Sequence, residues 1–129
     1  DIIVLYLTYP QRTFSKVKEI YRFYIGNTAK SLLCSKEIES HPYMCYYPKD
    51  DCKGEKVIKH DLYRRQDYPK CFESCYYTII FKSNILNKLD SNLHHADTIF
   101  YPLELDDKIL DVDYLNDFKK YEKLEKTKG

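Results

Sequence analysis

Cysteine is the residue type of this chain with the most distinctive chemistry. The five cysteines are Cys34, Cys45, Cys52, Cys71 and Cys75. Five cysteines in 129 residues are typical of a protein from an oxidising compartment. We expect two disulfides and one odd thiol, which could link two copies as a dimer. If Cys71 and Cys75 lie one helical turn apart, they are poor partners for each other, so each would pair with a cysteine of the first half.

Histidines near the cysteines suggest two other chemistries. His41, or the pair His94 and His95, could join the cysteines at zinc, but the sequence has no Cys-x2-Cys pair of the kind usual in zinc sites. The same pair with Asp97 could serve acid–base catalysis or activate a cysteine. This enzyme hypothesis needs a polar cleft, and oxidised thiols with no pocket near His94 would dismiss it. We predict no catalytic site, no metal and no cofactor.

Tyrosine–proline pairs organise the chain. Four of the five prolines directly follow a tyrosine. The pairs are Tyr9-Pro10, Tyr47-Pro48, Tyr68-Pro69 and Tyr101-Pro102. The first and third precede a helical pattern, and the second and fourth precede an acidic pair and another helical pattern. This order predicts a single domain over 1–129 with an internal repeat of 1–67 and 68–129.

Apolar residues recur with a helical period in much of the chain. The first predicted helix starts after the cap Thr13 and stops at Gly26-Asn27. Further helices are predicted over 28–39, 55–66, from Pro69 to 83 and, weakly, over 84–95. The last helix is predicted to be capped by Asp111 or Asp113, with Tyr114, Leu115, Phe118, Tyr121 and Leu124 facing inward. Residues 41–54 are predicted to form a loop. These patterns predict an all-α fold, a disulfide-stapled helical bundle.

A fold with strands is the alternative. Residues 75–81 are rich in tyrosine, isoleucine and other β-formers, although the apolar stripe around them also fits a helix. The alternative is therefore an α+β fold with short strands near 2–8, 76–82 and 98–105.

Composition restricts the partners. The net charge is only +1, which argues against nucleic acid or an anionic membrane. The chain has 14 tyrosines and no tryptophan. Tyrosine is enriched at interfaces because its ring supplies apolar area and its hydroxyl makes hydrogen bonds. The tyrosines expected at a contact surface are Tyr43, Tyr46, Tyr47, Tyr63 and Tyr68.

Two cysteine–tyrosine–cysteine sets follow one another, and they carry a resemblance to a known family. They are Cys34, Tyr43 and Cys45, and then Cys52, Tyr68 and Cys71. This pattern resembles the bicycle proteins of gall-forming aphids, although the second set has two residues between tyrosine and cysteine and Cys75 is left over. The resemblance implies secretion from salivary glands, delivery into plant tissue and no known catalytic activity.

The combined prediction is a secreted, non-enzymatic effector that binds an unknown host protein through a tyrosine-rich surface. Neither nucleic acid nor a membrane is an expected partner. The alternatives are a small helical carrier with an apolar ligand inside its bundle, and an unrecognised hydrolase.

Overall fold

The chain folds into a mixture of strands and helices. The computed structural model describes residues 1–104, 107 and 109–128. Over these residues the elements are β1 (Ile2–Val4), α1 (Phe14–Gly26), β2 (Ser31–Glu37), β3 (Tyr46–Pro48), β4 (Gly54–Lys56), β5 (Phe72–Phe81), β6 (Ile99–Pro102) and α2 (Leu115–Thr127). Short 3-10 helices occur at Pro42–Met44, Asp50–Cys52, Arg65–Asp67 and Ser83–Lys88. The prediction of an all-α bundle is therefore wrong.

Three predicted helices contain strands instead. The segment 28–39 contains β2, 55–66 begins with part of β4, and the segment after Pro69 is β5. Strands also occur near each of the three places that the alternative fold named, although Leu105, at the end of the last one, lies outside the described residues. A buried strand and a buried helix can carry the same short apolar run, and the tertiary pairing decides between them.

The first helix forms as the sequence predicts. The hydroxyl of Thr13 caps α1 by accepting from the Lys16 backbone N–H at 3.2 Å. The helix ends at Gly26, but the left-handed residue that follows is Thr28, with φ of 51°, rather than Gly26 or Asn27. The Phe23 carbonyl of the last turn accepts from both the backbone N–H of Asn27 (3.1 Å) and its side-chain amide (2.8 Å).

One four-stranded sheet has the order β1-β5-β2-β6. β1 pairs antiparallel with β5, from Ile2 opposite Phe81 to Val4 opposite Ile79. β2 pairs parallel with β6, and the register sets Leu32 opposite Ile99. All residues from 31 to 35 are buried, as expected of a strand covered on both faces.

The sheet separates two apolar clusters. Ile20 and Tyr24 of α1 belong to the cluster that contains Leu32 and Cys34 of β2. Leu33, which alternates with them, belongs to a second cluster with Ile79, Phe81 and Ile85. The period of two along β2 thus divides its side chains between two apolar layers.

The alternation in β5 shifts by one residue at Thr78. Cys75 and Tyr77 belong to the first cluster, whereas Ile79 belongs to the second and Ile80 to the first. An extra residue of this kind disturbs the ladder and leaves backbone groups to be satisfied by other partners.

Side chains take up the carbonyls at this irregularity. Arg12 donates from Nη1 to the Tyr77 carbonyl at 2.7 Å and from Nη2 to the Tyr6 carbonyl at 2.6 Å. Its guanidinium also lies 5.8 Å from the ring centroids of both Tyr9 and Tyr77. The Thr78 carbonyl accepts from the Cys34 thiol at 3.5 Å. Arg12 therefore ties the N-terminal segment to the central strand.

The last helix differs from its prediction in its cap and its burial. α2 begins after Tyr114, and Asp117 Oδ2 accepts from the Tyr114 backbone N–H at 3.1 Å, so neither Asp111 nor Asp113 is the cap. No residue of α2 is fully buried, and Leu115 is 67% exposed, so the face expected to point inward does not. Among the described residues, neither helix has the length and apolar character needed to cross a bilayer.

The chain divides into two compact units. Asp1–Lys36 and Ser74–Gly129 form one, which we call the sheet unit, and Glu37–Glu73 forms the other, which we call the insert. In the sequence the insert lies between most of β2 and most of β5, two strands that are neighbours in the sheet. The predicted repeat of 1–67 and 68–129 stays a prediction.

Arg12→Lys should destabilise the protein by about 1–3 kcal/mol, because lysine cannot donate to two carbonyls in the fork geometry of arginine. Arg22→Lys is the matched control, since Arg22 is exposed on α1 and should change stability by less than about 0.5 kcal/mol. Urea unfolding of the two variants and the parent measures both values. Equal stability of the two variants would contradict the structural role of Arg12.

Candidate functional site

The insert is exposed over much of its length. Within 37–73, all of which the structure describes, no residue is fully buried. Eight large apolar side chains in it are at least 38% exposed. They are Met44, Tyr46, Tyr47, Val57, Ile58, Leu62, Tyr63 and Phe72. A segment of this length cannot bury enough apolar surface to be held by a core of its own, so other interactions must order it.

A hairpin supplies the first of these interactions. β3 and β4 pair antiparallel, from Tyr46 opposite Lys56 to Pro48 opposite Gly54. A backbone bond from Val57 to the Cys45 carbonyl (3.1 Å) extends the ladder. At the tip, Asp51 and Cys52 have φ of 60° and 59°, a left-handed pair of a kind that favours asparagine, aspartate or glycine.

The hairpin holds two of the predicted contact tyrosines on opposite faces. Tyr46 and Tyr47 are successive residues of β3, so their side chains point to opposite sides of the two-stranded sheet. They are 64% and 60% exposed. The Tyr46 ring lies over Gly54, where an added Cβ would come within 2.5 Å of it. Only glycine at this position leaves room for the Tyr46 ring.

A cluster of four rings supplies the second interaction. Tyr43 stacks on His60 with centroids 4.3 Å apart and an interplanar angle of 20°. Tyr68 lies 5.3 Å from Tyr43 and 5.4 Å from His60, and His41 lies 4.9 Å from both tyrosines. The cluster joins three parts of the insert that are distant in sequence.

Backbone hydrogen bonds fix both histidines of this ring cluster. His41 Nδ1 accepts from the Tyr43 backbone N–H (3.1 Å), and its Nε2 bonds to the Pro69 carbonyl (2.7 Å). His60 repeats the pattern with the Leu62 backbone N–H (3.2 Å) and the Tyr43 carbonyl (2.7 Å). These partners assign the proton to Nε2 in each ring. Both nitrogens are occupied, so the two rings act as structural bridges between backbone segments.

The five predicted contact residues all lie in the insert, but in two environments. Tyr43 and Tyr68 are partly buried in the ring cluster, whereas Tyr46, Tyr47 and Tyr63 are exposed, Tyr63 by 89%. Sequence reasoning missed the roles of His41 and His60, because their partners come from distant positions. It also missed the exposed aliphatic residues, which the predicted helix over 55–66 would have buried.

The prediction of disulfides is wrong. All five cysteines are described, all are free, and no two lie at disulfide distance. Cys34 and Cys75 are buried in the core of the sheet unit, where they pack as small apolar residues. Burial raises the pKa of the Cys34 thiol to about 12. The Tyr9 hydroxyl lies 3.6 Å from Cys75 Sγ, and burial, followed by this bond, raises the pKa of Tyr9.

The remaining cysteines belong to the insert. Cys45 donates to the His41 carbonyl at 3.5 Å, Cys52 is exposed at the hairpin tip, and Cys71 is partly buried. Cys71 and His41 both line a cavity of about 230 Å³ within the insert, together with Arg65 and Lys70. His41 has no free nitrogen with which to activate a thiol there, because both of its ring nitrogens are bound to the backbone.

A second cavity, of about 320 Å³, lies in the sheet unit near His94. Asp90 and Ser74 also line it. The hydrolase hypothesis would have been dismissed by oxidised thiols and by the lack of a pocket near His94. The thiols are free and this cavity exists, so the hypothesis is not dismissed on these grounds. However, His94 Nδ1 is 3.9 Å from Asp90 Oδ2, and no described hydroxyl lies within hydrogen-bond distance of the His94 ring. The carrier alternative required a helical bundle, which the chain does not form.

Metal ligands do not converge within the part of the chain that the structure describes. No three histidine, cysteine, aspartate or glutamate side chains come together there as a metal site would require. The chain matches no model of a known protein family, and no curated protein is significantly similar to it.

Alkylation should find five free thiols that react in the order of their exposure. At pH 8 we expect Cys52 to react first and Cys45 and Cys71 later. Cys34 and Cys75 should react only in denaturant, because both are buried and the raised pKa of Cys34 leaves it protonated. Peptide mass spectrometry after timed labelling measures this order. Fewer than five alkylated cysteines in denaturant before any reductant is added would contradict the free-thiol assignment.

Proposed function

We propose that the protein is a secreted, non-enzymatic effector that binds a host protein through the exposed apolar side chains of the insert. The observation that carries the proposal is the contrast between the two units. The sheet unit contains the core clusters, whereas the insert buries no residue fully and exposes eight large apolar side chains. Large apolar side chains exposed together in one segment are typical of a binding site.

The insert has the features of an ordered binding surface. The hairpin and the ring cluster order parts of its backbone, which limits the positions that the exposed side chains can take before a partner arrives. Preorganisation of this kind lowers the entropy lost on binding. Tyr46, Tyr47 and Tyr63 are the expected anchors, because tyrosine offers a large amphipathic ring with few rotatable bonds.

Charge supports a protein partner. The insert has seven lysines and arginines and eight aspartates and glutamates, which gives 7 − 8 = −1. A surface with so little net charge has no electrostatic attraction for a polyanion, and apolar contact must supply most of the affinity. Neither nucleic acid nor an anionic membrane fits this chemistry.

The extracellular setting rests on the resemblance to the bicycle proteins. The free thiols remove the disulfide argument for an oxidising compartment. Delivery into a host is the part of the proposal that the resemblance alone supports, whereas binding through the insert rests on the exposed side chains.

Replacement of Tyr46, Tyr47 and Tyr63 by alanine together should abolish binding to the partner. Tyr114→Ala is the matched control, since Tyr114 is 78% exposed but belongs to the sheet unit. Immobilised parent protein, triple variant and control are incubated with plant tissue extract, and the captured proteins are quantified by mass spectrometry. We expect proteins retained by the parent and the control and lost from the triple variant.

Single tyrosine variants then locate the anchor. With the purified captured protein, truncation of one anchor should weaken binding by about 30-fold, the effect of removing a hot-spot residue. Because Tyr46 and Tyr47 occupy opposite faces, we expect only one of these two variants to show the full effect. Recovery of the same proteins by all three immobilised forms would contradict the proposal.

A further inference from the structure

The cavity near His94 lies in the sheet unit and takes no part in the function proposed for the insert. Its floor and walls come from the sheet, with Leu33 of β2, Tyr76 of β5 and Phe100 of β6. The turn 90–94 supplies Asp90 and His94. Its volume of about 320 Å³ is at the lower end of the range of small-molecule pockets.

The turn holds one carboxylate in a fixed position. Asp90 Oδ1 accepts from the backbone N–H groups of Asn92 (2.8 Å) and His94 (3.0 Å). The Asp90 backbone N–H donates to the His94 carbonyl at 2.9 Å, which closes the turn, and Leu93 takes a φ of 58° within it. The hydrogen bonds from His94 and Asn92 hold the pKa of Asp90 below its usual range, so the carboxylate stays charged at neutral pH.

The other oxygen of Asp90 remains available to a ligand. This oxygen, Oδ2, lies 3.9 Å from His94 Nδ1, which is beyond hydrogen-bond distance. The Tyr76 hydroxyl does not compete, since it donates to the carbonyl and side-chain oxygens of Asn92 at 3.4 Å each. These bonds also fix the Tyr76 ring at the cavity.

Aromatic side chains also line the cavity. The Phe100 ring is 40% exposed, and its centroid lies 6.0 Å from that of His94 with 32° between the planes. The faces of such rings attract cations through their quadrupole. Among the described lining residues, Asp90 carries the only fixed charge, and there is no lysine or arginine to neutralise it.

We propose that this cavity binds a small organic cation, an ammonium compound whose charge lies against Asp90 and whose methyl or methylene groups lie against Phe100 and Tyr76. A carboxylate beside aromatic rings matches this chemistry and repels anions. The site belongs wholly to the sheet unit, so the inference is independent of the function proposed for the insert.

Titration with choline, monitored by NMR, tests the proposal. Resonances of Tyr76, His94 and Phe100 should shift in a saturable way with a Kd on the order of 1 mM, as expected for a partly exposed site. Dimethylbutanol, the neutral carbon isostere of choline, should bind at least about tenfold more weakly, because it lacks the charge that Asp90 recognises.

Two variants identify the groups involved. Asp90→Asn keeps an oxygen that can accept the two backbone bonds of the turn but loses the charge, and should weaken choline binding about tenfold. Phe100→Leu keeps the apolar bulk but loses the aromatic face, and should weaken binding about threefold. Phe100→Leu also tests the proposal if Asp90→Asn fails to fold.

Asp97→Asn is the matched control. Asp97 is an exposed carboxylate 3.8 Å from His95 in the same segment but is not among the described lining residues, so choline binding should be unchanged. No saturable shift up to about 20 mM choline would overturn the proposal. Equal binding of the neutral isostere, or equal loss with Asp97→Asn and Asp90→Asn, would overturn it as well.

Discussion

The burial of two neighbouring strands is the constraint on which the rest of this structure depends. β2 contributes apolar side chains to both clusters, and so does β5, whose alternation shifts at Thr78. At that shift the Tyr77 and Thr78 carbonyls accept hydrogen bonds from Arg12 and Cys34. These bonds link the N-terminal segment and a buried thiol of β2 to β5. The insert, in contrast, lies between these two strands in the sequence and fully buries none of its own residues.

This division separates the buried apolar clusters from the exposed apolar side chains of the insert. In the sheet unit apolar area is removed from water. In the insert apolar side chains stay exposed, and one hairpin and one cluster of four rings order the backbone. A surface that is ordered without being buried can change its exposed side chains at little cost to the fold. The cavity lined by Asp90 and Phe100 has a similar arrangement on a smaller scale. Backbone hydrogen bonds fix its turn, and both of these side chains remain exposed.

The sequence predicted elements whose signals are local and failed where distant contacts decide. α1 has a cap, a periodic face and a stop within one short stretch, so it was found. The run Leu32-Leu33-Cys34 has no period because both of its faces are buried, and it was assigned to a helix. α2 has an amphipathic pattern, but its apolar side chains are exposed. The predicted contact tyrosines stand out by composition, and all of them lie in the insert. In contrast, the bonds of His41 and His60 and the turn at Asp90 depend on backbone groups that no spacing rule identifies.

Native-state hydrogen exchange tests the central claim most directly, because it reports the free energy of opening at each amide. Amides of Leu32, Leu33, Ile79 and Ile80 should exchange only through global unfolding. Amides of the hairpin in the insert should exchange at least about 100-fold faster, because no buried core must open to release them. Protection of the insert equal to that of β2 and β5 would show that it shares their core, and would contradict the division into a stable sheet and an exposed binding surface.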